Sequence, residues 1–128
     1  MIAMVIDDSR AMRLILTRIA AQLGFEVWEA GNGREALDRL QAADEMPRVA
    51  LVDWNMPEMD GLQFVTAVRA APDLRDITLV MVTSESEQTQ IVKALAAGAH
   101  EYVIKPFTPD AIAEKLALLG LLPDGVTA

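Results

Sequence analysis

The stretch Val49-Ala50-Leu51-Val52-Asp53-Trp54-Asn55-Met56-Pro57-Glu58-Met59-Asp60-Gly61 decides how this chain folds. Four apolar residues in a row are the pattern of a strand covered on both faces, not of one with a wet side. A carboxylate, Asp53, follows at once, so it stands where the buried strand meets solvent. Pro57 cannot continue a strand ladder, and Asp60-Gly61 offers a side-chain cap and a permissive backbone. A tight loop leading into a helix is therefore expected after Asp53. An isolated Asp at a strand end commonly does no more than hydrogen-bond its own turn. What gives Asp53 weight is what stands at the other strand ends.

Upstream, Ile2 to Ile6 is another continuously apolar strand, ending on Asp7-Asp8. Ser9 caps a helix whose Met12, Ile15, Leu16, Ile19, Ala20 and Leu23 fall three and four residues apart, with Arg10, Arg13 and Arg18 at other positions. Gly24 stops that helix. Glu26-Val27-Trp28-Glu29-Ala30 mixes charges into a strand, which places it at a sheet edge. Asn32 and Glu35 pair as caps of a helix through Ala43, with Ala36, Leu37 and Leu40 inward, and Pro47 marks the return loop. Downstream, Asp60 caps a helix with Leu62, Val65 and Val68 facing the core, and Ala71-Pro72-Asp73 ends it. Ile77 to Val82 is a fourth strand finishing on Thr83. Ser84 and Glu87 are a capping pair for a helix with Ile91, Ala94 and Leu95 inward and Gly98 as its stop. Tyr102-Val103-Ile104 is a fifth strand ending on Lys105-Pro106. Thr108-Pro109 opens the last helix, whose inner stripe is Ile112, Leu116 and Leu119.

Strict alternation of strand and helix implies an α/β fold: one doubly wound parallel sheet with right-handed crossovers and helices on both faces. The 128 residues suit one domain with a proper core. Nineteen acidic against eleven basic residues give a net charge of −8, which repels nucleic-acid backbones and anionic membrane surfaces. The absence of cysteine excludes disulfides and thiolate chemistry, and the opening apolar run is too short for a signal peptide or a membrane span, so a cytoplasmic protein is expected.

Parallel strands bring their carboxyl ends to one rim, and ligands bind there in sheets of this kind. Four of the five strand ends carry chemistry: Asp7 and Asp8, Asp53, Thr83, and Lys105. Like charges 4 Å apart repel by about 4 kcal/mol at an effective dielectric of 20, so the acidic cluster calls for a cation. Hard oxygen donors without His or Cys point to Mg²⁺ or Mn²⁺. A divalent ion with Lys105 and Thr83 would clamp the oxygens of a phosphoryl group, and a carboxylate can itself be the nucleophile that accepts it.

Asp7-Asp8, Asp53, Thr83 and Lys105-Pro106 together resemble the signature of bacterial response-regulator receiver domains, across essentially the whole chain. Asp53-Trp54-Asn55-Met56-Pro57, Met59-Asp60-Gly61-Leu62 and Lys105-Pro106-Phe107-Thr108 are most similar to the chemotaxis members, the CheY type. The resemblance implies a flavodoxin-like sheet of order 2-1-3-4-5 with five helices, a receiver over residues 1–122 and a short tail over 123–128. It implies phosphorylation of Asp53 by a histidine kinase, with Mg²⁺ (or Mn²⁺) held by Asp8, Asp53 and the Asn55 backbone carbonyl, and by Asp7 through water. It makes Thr83 and Tyr102 a switch pair beside Lys105, gives Asn55 and Glu85 the tuning of phosphate loss, and makes the bond before Pro106 cis. Glu58 departs from the asparagine of the best-known chemotaxis member.

The expected function is that of a stand-alone, monomeric receiver in a two-component system, not an enzyme beyond accepting and losing its own phosphate. Its phosphorylated form would bind a protein target such as the flagellar motor switch through the fourth helix, fifth strand and fifth helix, over a groove bordered by Gln90, Lys93, Ala111, Ala113 and Leu118. Alternatives are a phosphorelay intermediate or a cell-cycle or stress regulator and, more distantly, an aspartyl-phosphate phosphatase. His100, the sole histidine, reads as an ordinary surface or strand-edge residue. Met56, Met59 and Trp28 read as packing. Ala113, Ala117, Leu118, Leu121 and Leu122 are read either as tail packing or as a contact surface.

Overall fold

A computed structural model describes residues 1–84 and 88–123. Five strands, β1 (Ile2–Ile6), β2 (Glu26–Ala30), β3 (Val49–Val52), β4 (Thr78–Thr83) and β5 (Glu101–Ile104), form one sheet of order β2-β1-β3-β4-β5. All four pairings are parallel. The helices are α1 (Arg10–Gln22), α2 (Gly33–Ala42), α3 (Gly61–Ala70), α4 (Gln88–Ala97) and α5 (Pro109–Leu118).

Side chains alternate across the strands, so each strand feeds two cores. Met4, Ile6, Val52 and Met81 meet Leu37 and Leu40 of α2, Phe64 and Val68 of α3 and Ala94 of α4. Ala3, Val5, Leu51 and Val82 meet Leu16 and Ile19 of α1 and Ile112 and Leu116 of α5. Every residue of β1 and β3 is buried. Burying each large apolar side chain is worth about 1.5–3 kcal/mol, which is why continuous apolar runs specify inner strands. β2 lies at one edge, where its two glutamates are exposed.

Ser9, Asn32, Asp60 and Thr108 each accept a backbone N–H in the first turn of their helix. Glu35 completes its pair one residue early, accepting from Gly31 N instead of from the Asn32 backbone. Glu87 lies outside the described residues. At the other ends Gly24, Gly98 and Gly120 take left-handed φ of 97°, 121° and 71°, where a residue with a Cβ is strained.

Two inward assignments need correction. Ile15 is 47% exposed and Leu95 40% exposed, because the buried arc of each helix is narrower than a three-and-four spacing suggests. In α1 the arc centres on Leu16, Ile19 and Ala20, and Ile15 falls at its margin beside exposed Leu14. In α3, Leu62 packs half-buried against the first core as expected, and Phe64, which the spacing did not single out, is the deepest residue. Ala113 is also buried, so it cannot border an open groove. Past α5, Gly120 turns the chain so that Leu121 N bonds Leu116 O and the Leu121 side chain joins the second core. Leu121 and half-buried Leu122 are thus tail packing, whereas Leu118 stays 80% exposed.

Each edge strand carries an aromatic ring beneath a cation. The Arg39 guanidinium lies 4.8 Å from the centre of the Trp28 ring, and Lys115 Nζ lies 5.5 Å from that of Tyr102.

Candidate functional site

Register delivers the polar residues to one place. Ile6 pairs with Val52, so Asp7 and Asp53 leave the sheet at the same level. Their backbones stay tied to it, Asp7 N donating to Ala30 O and Asp53 N to Ile6 O. From two strands away, Lys105 N donates to Thr83 O, and the peptide bond to Pro106 is cis. Gly61 brings α3 hard against this rim: a Cβ there would overlap the carbonyl oxygen of Asp53.

The Lys105 ammonium donates to Asp7 Oδ2 at 3.0 Å and to Asp53 Oδ1 at 3.2 Å. Asp7 Oδ1 accepts from Ser9 N, and Asp53 Oδ1 also accepts from Trp54 N. Asp53 Oδ2 takes none of these bonds. Asp7 is 1% exposed and Asp53 8%, while Asp8 faces solvent. An oxygen from each of Asp7, Asp8 and Asp53 lies within 4.8 Å of the others. Burial pushes the Asp53 carboxyl above the usual carboxylate range and Asp7 adds to the rise, while Lys105 and the Trp54 N–H pull the other way.

Three carboxylates against one ammonium leave about two negative charges in a half-dry cleft. Such a donor set is all hard oxygen and lacks one divalent cation's worth of charge, so it fits Mg²⁺ or Mn²⁺ and not a nitrogen- or sulfur-seeking metal. A model of the response regulator receiver domain matches residues 3–117, nearly all of the chain. The chain belongs to that family.

Among its relatives, the receiver is 42% identical over 117 residues to chemotaxis protein CheY1 of Helicobacter pylori, covering 91% of this chain and 94% of that protein. It is 43% identical over 114 residues to the chemotaxis protein CheY homolog of Campylobacter jejuni, covering 88% and 87%. Its fold matches the chemotaxis response regulator CheY4 of Vibrio cholerae with a TM-score of 0.84, at 32% identity over 92% of this chain and 97% of that one. The sheet order and five helices are those the resemblance implied.

The remaining residues singled out from the sequence sit around this cluster. Thr83 is buried at the end of β4, one strand from Asp53. Asn55 is exposed in the loop two residues past Asp53, and Glu85 lies outside the described residues. Tyr102 stands apart: it pairs with Met81, two residues short of the rim residue Thr83, and packs half-buried against the first core. His100 is exposed but not idle. Its Nδ1 accepts from Leu79 N at 3.1 Å and from Arg69 Nη2 at 2.9 Å, at the opposite end of the sheet.

Three features of the site were missed in the sequence. Arg13 Nη1 donates to the Asp7 carbonyl at 2.7 Å. The N–H groups of Ser9 and Trp54 hold two carboxylates, a role any residue type could fill. Glu58 has a φ of 65° in a turn closed by Met59 N on Pro57 O, a strained conformation for a residue with a Cβ.

Proposed function

We propose that this receiver accepts a phosphoryl group on Asp53 from the phosphohistidine of a kinase and so changes its affinity for a protein target in chemotaxis. The observation that carries the reading is the buried Asp53 carboxylate, ion-paired with Lys105 and within 4.8 Å of two other carboxylates. The chemotaxis assignment is supported by relatives bearing that name at 42–43% identity.

Asp53 Oδ2 is the attacking oxygen, since Oδ1 is engaged by Lys105 and Trp54 N. It bonds to phosphorus as the P–N bond to the donor imidazole breaks, and that bond's electron pair returns to the ring nitrogen. Asp8, Asp53 and the Asn55 carbonyl would hold Mg²⁺, and Asp7, whose two oxygens already accept from Ser9 N and Lys105, would act on it through water. When bound, the metal neutralises charge on the phosphoryl oxygens. Lys105 then serves one of those oxygens as well, and Thr83 shifts toward another. Tyr102 follows into the space that Thr83 leaves, giving up its place under Lys115.

The face so altered joins α4, β5 and α5, where Val92, Leu95 and Leu118 are exposed apolar groups beside exposed Lys93. An amphipathic segment, such as one from the flagellar motor switch, is the occupant expected there. The test is incubation with a small phosphodonor and Mg²⁺, followed by target binding. Asp53→Ala should take up no phosphate. Tyr102→Ala should take it up but lose most of the change in affinity, a change of about 5–150-fold for typical coupling. Full phosphate uptake by the Asp53 variant would end this reading.

A further inference from the structure

We infer that Arg13 is a positioning residue for the acidic pair, holding the peptide plane from which Asp8 is presented to the metal. The inference rests on the metal-binding role proposed above. Asp7 is fixed by its own contacts: its N–H is tied to Ala30 O and its carboxylate to Ser9 N and Lys105. Asp8 is exposed, and none of those bonds grasps its carboxylate. Its direction follows from the plane of the Asp7–Asp8 peptide, which is rigid and swings as a unit about the Asp7 ψ angle. The Asp7 carbonyl is one end of that plane, and Arg13 Nη1 holds it at 2.7 Å. The bond is charge-assisted and so stronger than a neutral one.

The guanidinium is itself held from behind. Arg13 Nε lies 3.6 Å from Glu29 Oε1 on β2. Glu29 also offsets the arginine's charge beside a cation site. The chain thus runs from the β2 edge through Glu29 and Arg13 to the Asp7–Asp8 peptide.

Two accounts of Arg13 predict opposite signs. If it acted only through its charge, removing a cation next to the site would tighten Mg²⁺ binding. If it acts by position, removal lets the peptide swing and weakens binding, even though the field has become more favourable. The experiment is a Mg²⁺ titration of the unphosphorylated full chain, read by the emission of Trp54, whose N–H bonds Asp53. Arg13→Ala should raise the dissociation constant by about 10-fold, the lower end of the range for groups that orient metal ligands. Arg13→Lys, which keeps a cationic donor on a flexible stem, should recover part of the loss. Arg13→Met keeps an apolar stem of similar length without a donor, and should behave like Arg13→Ala if the alanine variant does not fold. With a small phosphodonor, the variants should need more Mg²⁺ for half-maximal rate yet approach the parental rate at saturation. Unchanged or tighter Mg²⁺ binding in Arg13→Ala or Arg13→Met, or no recovery in Arg13→Lys, overturns the inference. If the parent gives no Mg²⁺ response at all, the metal-site reading itself has failed. If the parent responds, Asp8→Ala weakens binding and the Arg13 variants do not, only the role of Arg13 falls.

Discussion

At the carboxyl end of the sheet one ammonium, Lys105, faces two buried carboxylates with a third beside them. At the amino end one guanidinium, Arg69, meets three carbonyls and an imidazole. Arg69 Nε donates to Gly98 O, Nη1 to Arg75 O and Ile77 O, and Nη2 to His100 Nδ1, joining α3 to the segments that lead into β4 and β5. The left-handed residues differ in the same sense: Gly98 at the amino end against Glu58 in the rim loop. One cluster is satisfied and unstrained, the other is short of positive charge and strained. A group of polar residues that has every partner it needs is holding the fold together. One that carries excess charge of one sign is suited to take up a counter-ion.

The comparison breaks most easily at Arg69. Arg69→Ala strips charge-assisted bonds from three carbonyls and should lower unfolding stability by about 3 kcal/mol, measured by urea denaturation. A loss under about 0.5 kcal/mol, the range of an ordinary surface change, would mean that the amino-end cluster is decorative. A smaller change of opposite sign is expected at the rim. Asp53→Asn keeps the shape and removes an unfavourable buried charge, so in chelator it should melt a few degrees higher than the parent. Mg²⁺ should then raise the melting temperature of the parent by an amount that grows with the logarithm of its concentration above the dissociation constant, and do much less for the variant.

The smallest effect is in the pH dependence. Burial and the Arg69 charge hold His100 below its usual value, and Nδ1 must stay unprotonated to accept its two bonds. The folded state therefore binds the proton less readily than the unfolded one. The stabilisation is present above the ordinary histidine value of about 6.5 and is lost as pH falls through the folded value. Asp53 runs the other way. Its raised carboxyl favours the folded state below the ordinary Asp value, and that contribution is lost as pH rises through the folded one. The stability advantage of the parent over His100→Asn, followed from pH 7.5 downward, should shrink from about pH 6.5. An advantage that stays constant would separate His100 from the amino-end cluster.

The inner strands were legible because a parallel sheet buries both faces, so Ile2 to Ile6 and Val49 to Val52 could be little else. The carboxylates and Lys105 were legible because strict alternation brings all the strand ends to one rim. What escaped was interaction with the backbone. Arg13 reaches the Asp7 carbonyl and Arg69 reaches three others, and a carbonyl is present at every position, so no residue pattern announces such a bond. His100 sits at the surface before β5, as a strand-edge residue would, but its bond from Leu79 N was illegible for the same reason. Ile15 and Leu95 were misplaced because spacing gives the direction of a buried arc but not its width, which depends on the neighbouring elements.

The two rings under cations have a consequence for how copies of this protein behave at high concentration. An open sheet edge is a template on which a foreign strand can grow, and repetition of that event makes fibres. On β2, Ala30 O is spent on β1, so the neighbouring Glu29 O points outward, and Arg39 Nη1 caps it at 3.3 Å while its guanidinium covers Trp28. On β5, Lys115 covers Tyr102 and pairs with Glu101 at 3.3 Å. A strand that docked on either side would have to peel off a cation worth about 0.5–1 kcal/mol in each ring contact, and would meet glutamates before it met backbone. Each border thus carries its own guard against templated polymerisation, Arg39 on β2 and Lys115 on β5.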